Sequence, residues 1–357
     1  MKKQVAGIIG CGYISQFHFS GFEKADVKVA WACDLNEALG KQWAAKSGAR
    51  YTADYKEIIA DPEVTIVDVC VSSPVHKEIC LAAIAAGKAV ICEKTLATNP
   101  DDALDIVTAA EKAGVVFYTS YMKRFIPAVQ KAKELLPKLG QITSTYIRAY
   151  QCWGDSFWKP EPPEGFFKGA IRKNGISPVR KSYGGGLLVC GGSHILDLVC
   201  HLVGRPQRLY ASMLTPQGLD IDVRASALME TPSNGVVHFE VLGHSMRRIG
   251  FLRDGWDERV EINGVNGRLE IYSSQWDDPY HKASLLIHTD NTADSAMQYT
   301  FDAVSPFDRA IAFFCANIAE GKQGAQGRET GYDVDELIAH IVRSAEMKQA
   351  VDMKWRI

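Results

Sequence analysis

The stretch VAGIIGCGYIS, residues 5–15, carries an apolar run directly into two glycines one residue apart. A buried strand that enters a glycine turn and then a helix builds a site for a phosphate. Gly10 allows the tight turn, Gly12 lets the backbone approach a pyrophosphate, and the helix beginning at Tyr13 and Ile14 points free N–H groups at the anion. Ser15 stands where the G-x-G-x-x-G pattern has its third glycine, a small residue that still permits close helix–strand packing. The motif is short, so its meaning depends on the strands and strand ends farther along the chain.

The chain has 357 residues, more than one ordinary core holds, so two domains are expected. Hydrophobic residues make up 46% and charged residues 23%, the balance of a soluble globular protein. Lys+Arg 40 against Asp+Glu 42 leaves a net charge of −2, which argues against a nucleic-acid or anionic-membrane partner. No apolar run approaches the roughly 20 residues of a membrane helix. Lys2 and Lys3 precede a short apolar run that breaks at Gly10, so a signal peptide is not expected. Nine cysteines with no C-x-x-C pair read as reduced thiols of a cytoplasmic protein, with no metal site of their own.

Residues 1–120 alternate strand and helix. VKVAWACD (27–34) reads as a second buried strand ending in Asp34, which lies 22 residues beyond Gly12. At that spacing an acid binds the adenosine ribose hydroxyls; the alternative is an Asp that caps the next helix. Leu35 and Asn36 come next, with no Arg or Lys for a 2′-phosphate, which favours NAD over NADP. VTIVDVCV (64–71) is a third parallel strand. It ends in Ser72, Ser73, Pro74, Val75 and His76, polar groups at the edge where open α/β sheets bind ligands. KAVICE (88–93) is a fourth strand that delivers Glu93 and Lys94. Asn99 and Pro100 open a helix, as N-cap and N1 residues do, and VVFYTS (115–120) is a fifth strand.

The cofactor contacts expected are therefore Gly10, Gly12, Tyr13, Ile14, Asp34, Asn36, Ser72, Ser73, His76, Glu93 and Lys94. Lys94 lies just beyond a strand end, near the expected nicotinamide. Desolvation there, or an oxidised cationic ring beside it, would lower its pKa toward neutrality. The alternatives are pairing with Glu93 or binding a ribose hydroxyl.

Residues 121–140 read as a connecting helix, and ITSTYIRAY (142–150) alternates as a half-buried strand. Residues 151–183 form a long loop rich in aromatics, Trp153 among them. Their ring faces suit either a sugar or a neighbouring subunit. A helix is expected over 187–203, then antiparallel strands at 208–214, 223–230, 235–243, 247–254, 258–264 and 267–273. Helices at about 306–320 and 331–349 close the chain. The fold class is α/β: an N-terminal Rossmann dinucleotide-binding domain (1–122) and a C-terminal α+β domain with a largely antiparallel open sheet (123–357). His194, Asp197 and His201 fall at i, i+3 and i+7 on one helix face, with Cys190 a turn earlier. As a metal site these ligands would be crowded on a single helix, so none is expected.

Four blocks, GCGYIS, His76 after the third strand, AGKAVICEK (86–94) and YMKRFIP (121–127), resemble the glucose–fructose oxidoreductase / inositol dehydrogenase / rhizopine-catabolism family of NAD(P)-dependent sugar and polyol oxidoreductases. The likeness continues through Gly184–Gly186 and GGSHILDL (191–198). It departs where the family's Glu-Lys-Pro is Glu93-Lys94-Thr95, where its Thr-Pro after the third strand is Val71-Ser72, and where its D-x-x-x-H aspartate is Cys190. The resemblance implies that Lys94 acts on the substrate hydroxyl, that His194 is an acid/base, and that Lys123, Arg124, Trp153 and Asp197 meet the substrate, Arg124 having a structural ion pair as its alternative. It implies an NAD-dependent oxidoreductase acting on a secondary alcohol of a sugar, glycoside or cyclic polyol, with glucosyl C3 as the most specific form, and a homo-oligomer formed through the open sheet. The rivals are a redox-neutral NAD-dependent glycosidase and a non-catalytic NAD-binding regulator.

Overall fold

The computed structural model describes residues 4–151, 186–216, 221–244, 246, 248–251, 255–274 and 276–357. Trp153, Gly184 and Gly185 lie outside the described residues, as does the aromatic loop from 152 onward. The chain divides into two compact units, Met1–Met122 with Pro306–Asp335 and Lys123–Ser305 with Glu336–Ile357.

The first unit is built on six parallel strands: β1 (Val5–Ile9), β2 (Lys28–Cys33), β3 (Arg50–Thr52), β4 (Ile66–Val69), β5 (Ala89–Cys92) and β6 (Phe117–Thr119). Their order is β3-β2-β1-β4-β5-β6, that of a doubly wound sheet, which reverses direction between β1 and β4 and opens its ligand crevice there. The helices are α1 (Ser15–Lys24), α2 (Glu37–Ser47), α3 (Tyr55–Ala60), α4 (His76–Ala85) and α5 (Pro100–Ala113). Helix α5 starts as its sequence dictates: the Asn99 side chain accepts from Asp102 N–H, Pro100 occupies the first turn, and Gly114 ends it at φ 65°. Residues 306–335, which the sequence division places in the second domain, group with the first unit. Helix α8 (Pro306–Glu320; α6 and α7 belong to the second unit) packs on α1 because Gly21 leaves room for Ile311: a Cβ there would lie 2.7 Å from it. Edge strand β6 is covered by side chains. Gln323 pairs with the Phe117 main chain, and Gln326 donates to Thr119 O at 2.8 Å.

The second unit holds nine strands in the order β14-β13-β12-β11-β7-β10-β9-β8-β15. These are β7 (Ile142–Gln151), β8 (Arg208–Leu214), β9 (Arg224–Glu230), β10 (Val236–Gly243), β11 (Asp257–Gly264), β12 (Gly267–Tyr272), β13 (Leu285–Asp290), β14 (Ser295–Thr300) and β15 (Val351–Asp352). All pairs are antiparallel except β7 with β10. Along β7, Thr145, Ile147 and Ala149 are buried, and α7 (Ser193–Val203) packs against this strand.

Three sequence expectations change. The single helix over 121–140 is a 3-10 turn (Met122–Phe125), α6 (Pro127–Leu135) and a second 3-10 turn (Leu136–Leu139). Pro127 can begin a helix but not sit inside one, and Pro137 ends α6. The strand expected at 247–254 is absent from its described residues, 248–251. Strands β13, β14 and β15 were not expected: β14 is largely exposed and lacks the alternation that marks a half-buried strand, and β15 is two residues long.

Candidate active site

Gly10 has φ +96°, and a Cβ there would lie 2.6 Å from Cys70 O, so only glycine lets the turn after β1 cross the end of β4. Gly12 faces open space, with nothing within 4 Å of where a Cβ would be. The Ser15 hydroxyl donates to Gly12 O at 2.7 Å and closes the turn. Helix α1 has no side-chain cap at Ile14 and no acid in its first turn, so its N-terminal N–H groups face no competing anion. Tyr13 is half exposed at this rim. Asp34, at the end of β2, accepts from Cys11 N–H at 2.8 Å and Asn36 N–H at 2.7 Å, one on each oxygen. Each oxygen keeps a second lone pair for a ribose hydroxyl. Asn36 itself caps α2, accepting from Leu39 N–H. An open glycine backbone, an uncapped helix start and an anchored carboxylate fit a dinucleotide.

Ser72, Ser73, His76 and Glu93 were expected beside the cofactor. Ser72 opens the 3-10 turn Ser73–Val75. Ser73 is buried, its hydroxyl 3.2 Å from that of Thr95. His76 is fully buried, with Nε2 2.9 Å from Val71 O and Nδ1 3.0 Å from Thr95 O. Burial lowers its pKa against the pull of those carbonyls, and the ring ties the turn after β4 to the turn after β5. The side chains of Ser73 and His76 are thus engaged with the protein. Lys94 is half-buried, directly after Glu93, and the Lys94–Thr95 peptide is cis.

Beneath this edge lies a group that the sequence reading missed. His18 Nδ1 is 2.9 Å from Asp68 Oδ2, and Nε2 is 3.0 Å from Glu93 Oε1, with all three residues buried. His18, Asp68 and Cys70 are the described residues whose donor atoms cluster within 4.8 Å as a metal's ligands would. Hydrogen bonds from the His18 ring and the Cys70 thiol to the Asp68 carboxylate, the latter at 3.5 Å, account for that closeness. Two signals were available: an aspartate inside the otherwise apolar VTIVDVCV, and a histidine between Phe17 and Phe19 on the apolar face of α1.

In the second unit, residues Leu188–Gly192 form a π-helical turn that runs into α7. Such turns are rare and often mark functional sites. Asp222 caps this segment from a distant strand end, its main-chain O accepting from Leu187 N–H at 3.1 Å and its carboxylate from Leu188 N–H at 2.8 Å. No local spacing signals Asp222. His194, in the first turn of α7, and Cys190 are both half-buried. Asp197 is fully buried and gripped by Arg124, whose Nε lies 2.9 Å from both carboxylate oxygens and whose terminal nitrogen lies 2.6 Å from Oδ1. Burial pushes the Asp197 carboxyl up, and the guanidinium opposes it. Lys123 is buried in an ion pair with Glu258, which also accepts from Trp256 Nε1 at 2.8 Å. Lys123, Arg124 and Asp197, expected at the substrate, are therefore each held by a partner of opposite charge. His201 is pushed down to about 3 by burial and by the nearby Arg124 and Lys133 charges.

Residues 5–121 match the oxidoreductase family with NAD-binding Rossmann fold, and residues 129–270 match the GFO/IDH/MocA C-terminal domain. The chain is 35% identical over 358 residues to a 1,5-anhydro-D-fructose reductase of Ensifer adhaerens, covering 98% of each. It is 25% identical over 359 residues to a myo-inositol 2-dehydrogenase of Thermotoga maritima, again covering 98% of each. Its fold matches a levoglucosan dehydrogenase solved with NADH and levoglucosan at a TM-score of 0.82, with 22% identity over 99% of this chain and 100% of that one. The first unit is thus an NAD-binding Rossmann fold, and the chain belongs to the GFO/IDH/MocA family of NAD(P)-dependent sugar and polyol oxidoreductases.

Proposed function

We propose that the chain oxidises a secondary alcohol on the ring of a sugar, glycoside or cyclic polyol, with glucosyl C3 as the preferred position, and that it uses NAD rather than NADP. The observation that carries this reading is Lys94. It leaves the end of β5 half-buried with its main-chain N–H held by Glu93 at 3.1 Å, in the unit that carries the glycine turn. NAD, when bound, supplies the hydride acceptor. Gly10, Gly12 and the start of α1 hold its pyrophosphate, and Asp34 its ribose. Leu35 and Asn36, neither a cation, leave a 2′-phosphate without a partner. Lys94 takes the hydroxyl proton, and His194, in the first turn of α7, is kept as a candidate acid/base. Lys123 and Arg124 hold α7 and the sheet in register rather than gripping substrate. Relatives named for inositol, levoglucosan and 1,5-anhydro-D-fructose support a ring alcohol.

The test is product analysis by NMR and mass spectrometry over a panel of sugars, inositols and glycosides with NAD present. A keto product with one NADH per turnover is expected. Glycoside cleavage without net NADH would replace this reading with a redox-neutral glycosidase, and glucosides that yield no 3-keto product would remove the C3 assignment. We also propose that the chain forms a homo-oligomer through the face of the nine-stranded sheet that bears exposed Tyr146, Tyr210 and Leu228. A concavity of about 980 Å³ opens there. Light scattering on a Tyr210→Glu/Leu228→Glu variant should show a smaller species; an unchanged mass overturns that assignment.

A further inference from the structure

Next to the glycine turn the first unit buries a row of ionisable side chains that the reaction proposed above does not use. His18 Nδ1 lies 3.0 and 2.9 Å from the two Asp68 oxygens, and Nε2 lies 3.0 Å from Glu93 Oε1. Asp68 is interior to β4 and Glu93 comes directly after β5, so each ring nitrogen faces a carboxylate. An ionised carboxylate only accepts, and a neutral imidazole has one N–H. A neutral ring would leave one nitrogen lone pair against an oxygen lone pair in a buried site. The imidazolium donates to both.

The row continues toward Lys94. Glu93 Oε2 accepts the main-chain N–H of Lys94 at 3.1 Å. The other groups facing these three are Cys70 beside His18 and Asp68, Cys315 of α8 near Asp68, and His76, Cys92 and Lys94 near Glu93. Phe307 lies over the His18 ring, with centroids 5.8 Å apart. Burial by itself would drive the proton off His18, but the charge and hydrogen bond of Asp68 lift the ring well above its ordinary value. Burial would likewise raise Glu93, and the His18 cation, with Lys94, brings it below the usual range.

We propose that His18 is a positioning residue for Lys94: as an imidazolium locked between Asp68 and Glu93 it keeps Glu93 a carboxylate, and that carboxylate holds the Lys94 main chain in place. The inference rests on the reading of Lys94 as the proton-handling residue. The first test does not depend on turnover. NMR of cofactor-free wild-type protein labelled with ¹⁵N-histidine should show one ring, absent from the His18→Gln spectrum, with both nitrogens still protonated at about pH 7.5, above the ordinary histidine value. A neutral His18 ring at about pH 7.5 overturns the proposal.

The second test is the pH profile of kcat/KM. In His18→Gln, Glu93 loses its cation and burial raises its carboxyl, so the acid limb should move up by about one pH unit or more. The NADH dissociation constant should change less than about threefold. In His18→Gln/Glu93→Gln the carboxylate that holds Lys94 is replaced by a neutral amide, and only Asp68, which makes no such bond to Lys94, is left to take a proton, so the limb should return to its wild-type position. An unmoved limb in His18→Gln, or an equal loss of rate at every pH, assigns His18 a packing role and overturns the proposal. If His18→Gln does not fold, the wild-type NMR result decides alone, with the ring identified by its lack of exchange with solvent. A Lys94→Met variant that keeps full turnover would defeat the reading of Lys94, whereas the ionisation of His18 is read independently of it.

Discussion

Asp34 does two jobs with one carboxylate. Its oxygens hold the Cys11 and Asn36 N–H groups, and in the proposed function their remaining lone pairs accept the ribose hydroxyls. Asp34→Ala should therefore raise the NADH dissociation constant by roughly 10- to 100-fold, the loss of one or two charge-assisted bonds. Fluorescence titration checks this, and an unchanged constant would return Asp34 to a purely structural role. Lys94→Met should behave in the opposite way. Turnover should fall by about 10²- to 10⁴-fold, the usual worth of a positioned proton acceptor, with NADH binding nearly unchanged. Both residues were nominated from the sequence because the motif and the strand ends point to them. His76 and Ser73 stood at an equally good strand end. Their side chains turn inward, and no spacing in the sequence distinguishes a polar group that faces ligand from one that stitches two turns together.

The helix α7 shows the same division. Spacing alone put His194, Asp197 and His201 on one face, and the helix is where it was expected. The π-helical turn before it and the cap from Asp222 were not legible, since the cap comes from 34 residues beyond Leu188. Asp197 is buried against Arg124, so removing only the cation leaves an uncompensated charge. Arg124→Met should destabilise the protein by about 3–5 kcal/mol in urea unfolding, and Arg124→Met/Asp197→Leu should recover most of that loss. A rise in KM with unchanged stability would instead make Arg124 a substrate ligand.

The stability of the whole chain should carry opposing pH signatures from its buried titratable groups. His201 has a folded pKa of about 3, below its unfolded value near 6.5. The unfolded chain then binds a proton that the native state refuses, and stability falls as pH drops from 6.5 toward 3, by up to about 1.4 kcal/mol per pH unit. His201→Asn should flatten that limb in denaturation midpoints taken across acid pH. Asp335 is the reverse case. Burial lifts its carboxyl well above the usual range, although it accepts Ala97 N–H at 2.8 Å. Its native state holds a proton that the unfolded chain releases above about pH 4, so stability declines as pH rises through that window. Asp335→Asn keeps an acceptor for Ala97 and should be more stable than wild type at neutral pH. An equal or lower midpoint would count against the burial argument.

Local chemistry was enough for the nucleotide fold. Apolar strands, the glycine turn, Asp34 and the caps of α5 are short-range features, and each element can be read from neighbours a few residues away. The roles proposed for Lys94 and His194 came from the family resemblance laid over their strand-end and helix positions. Pairing across the chain was not legible: His18 with Asp68 and Glu93, Arg124 with Asp197, Lys123 with Glu258, and Asp222 with the start of α7. These join residues dozens to more than a hundred positions apart, and burial makes each charge find a partner that only the folded chain brings near. The sequence therefore determined the nucleotide fold and nominated polar groups at its strand ends, and folding determined which charged groups are committed to one another.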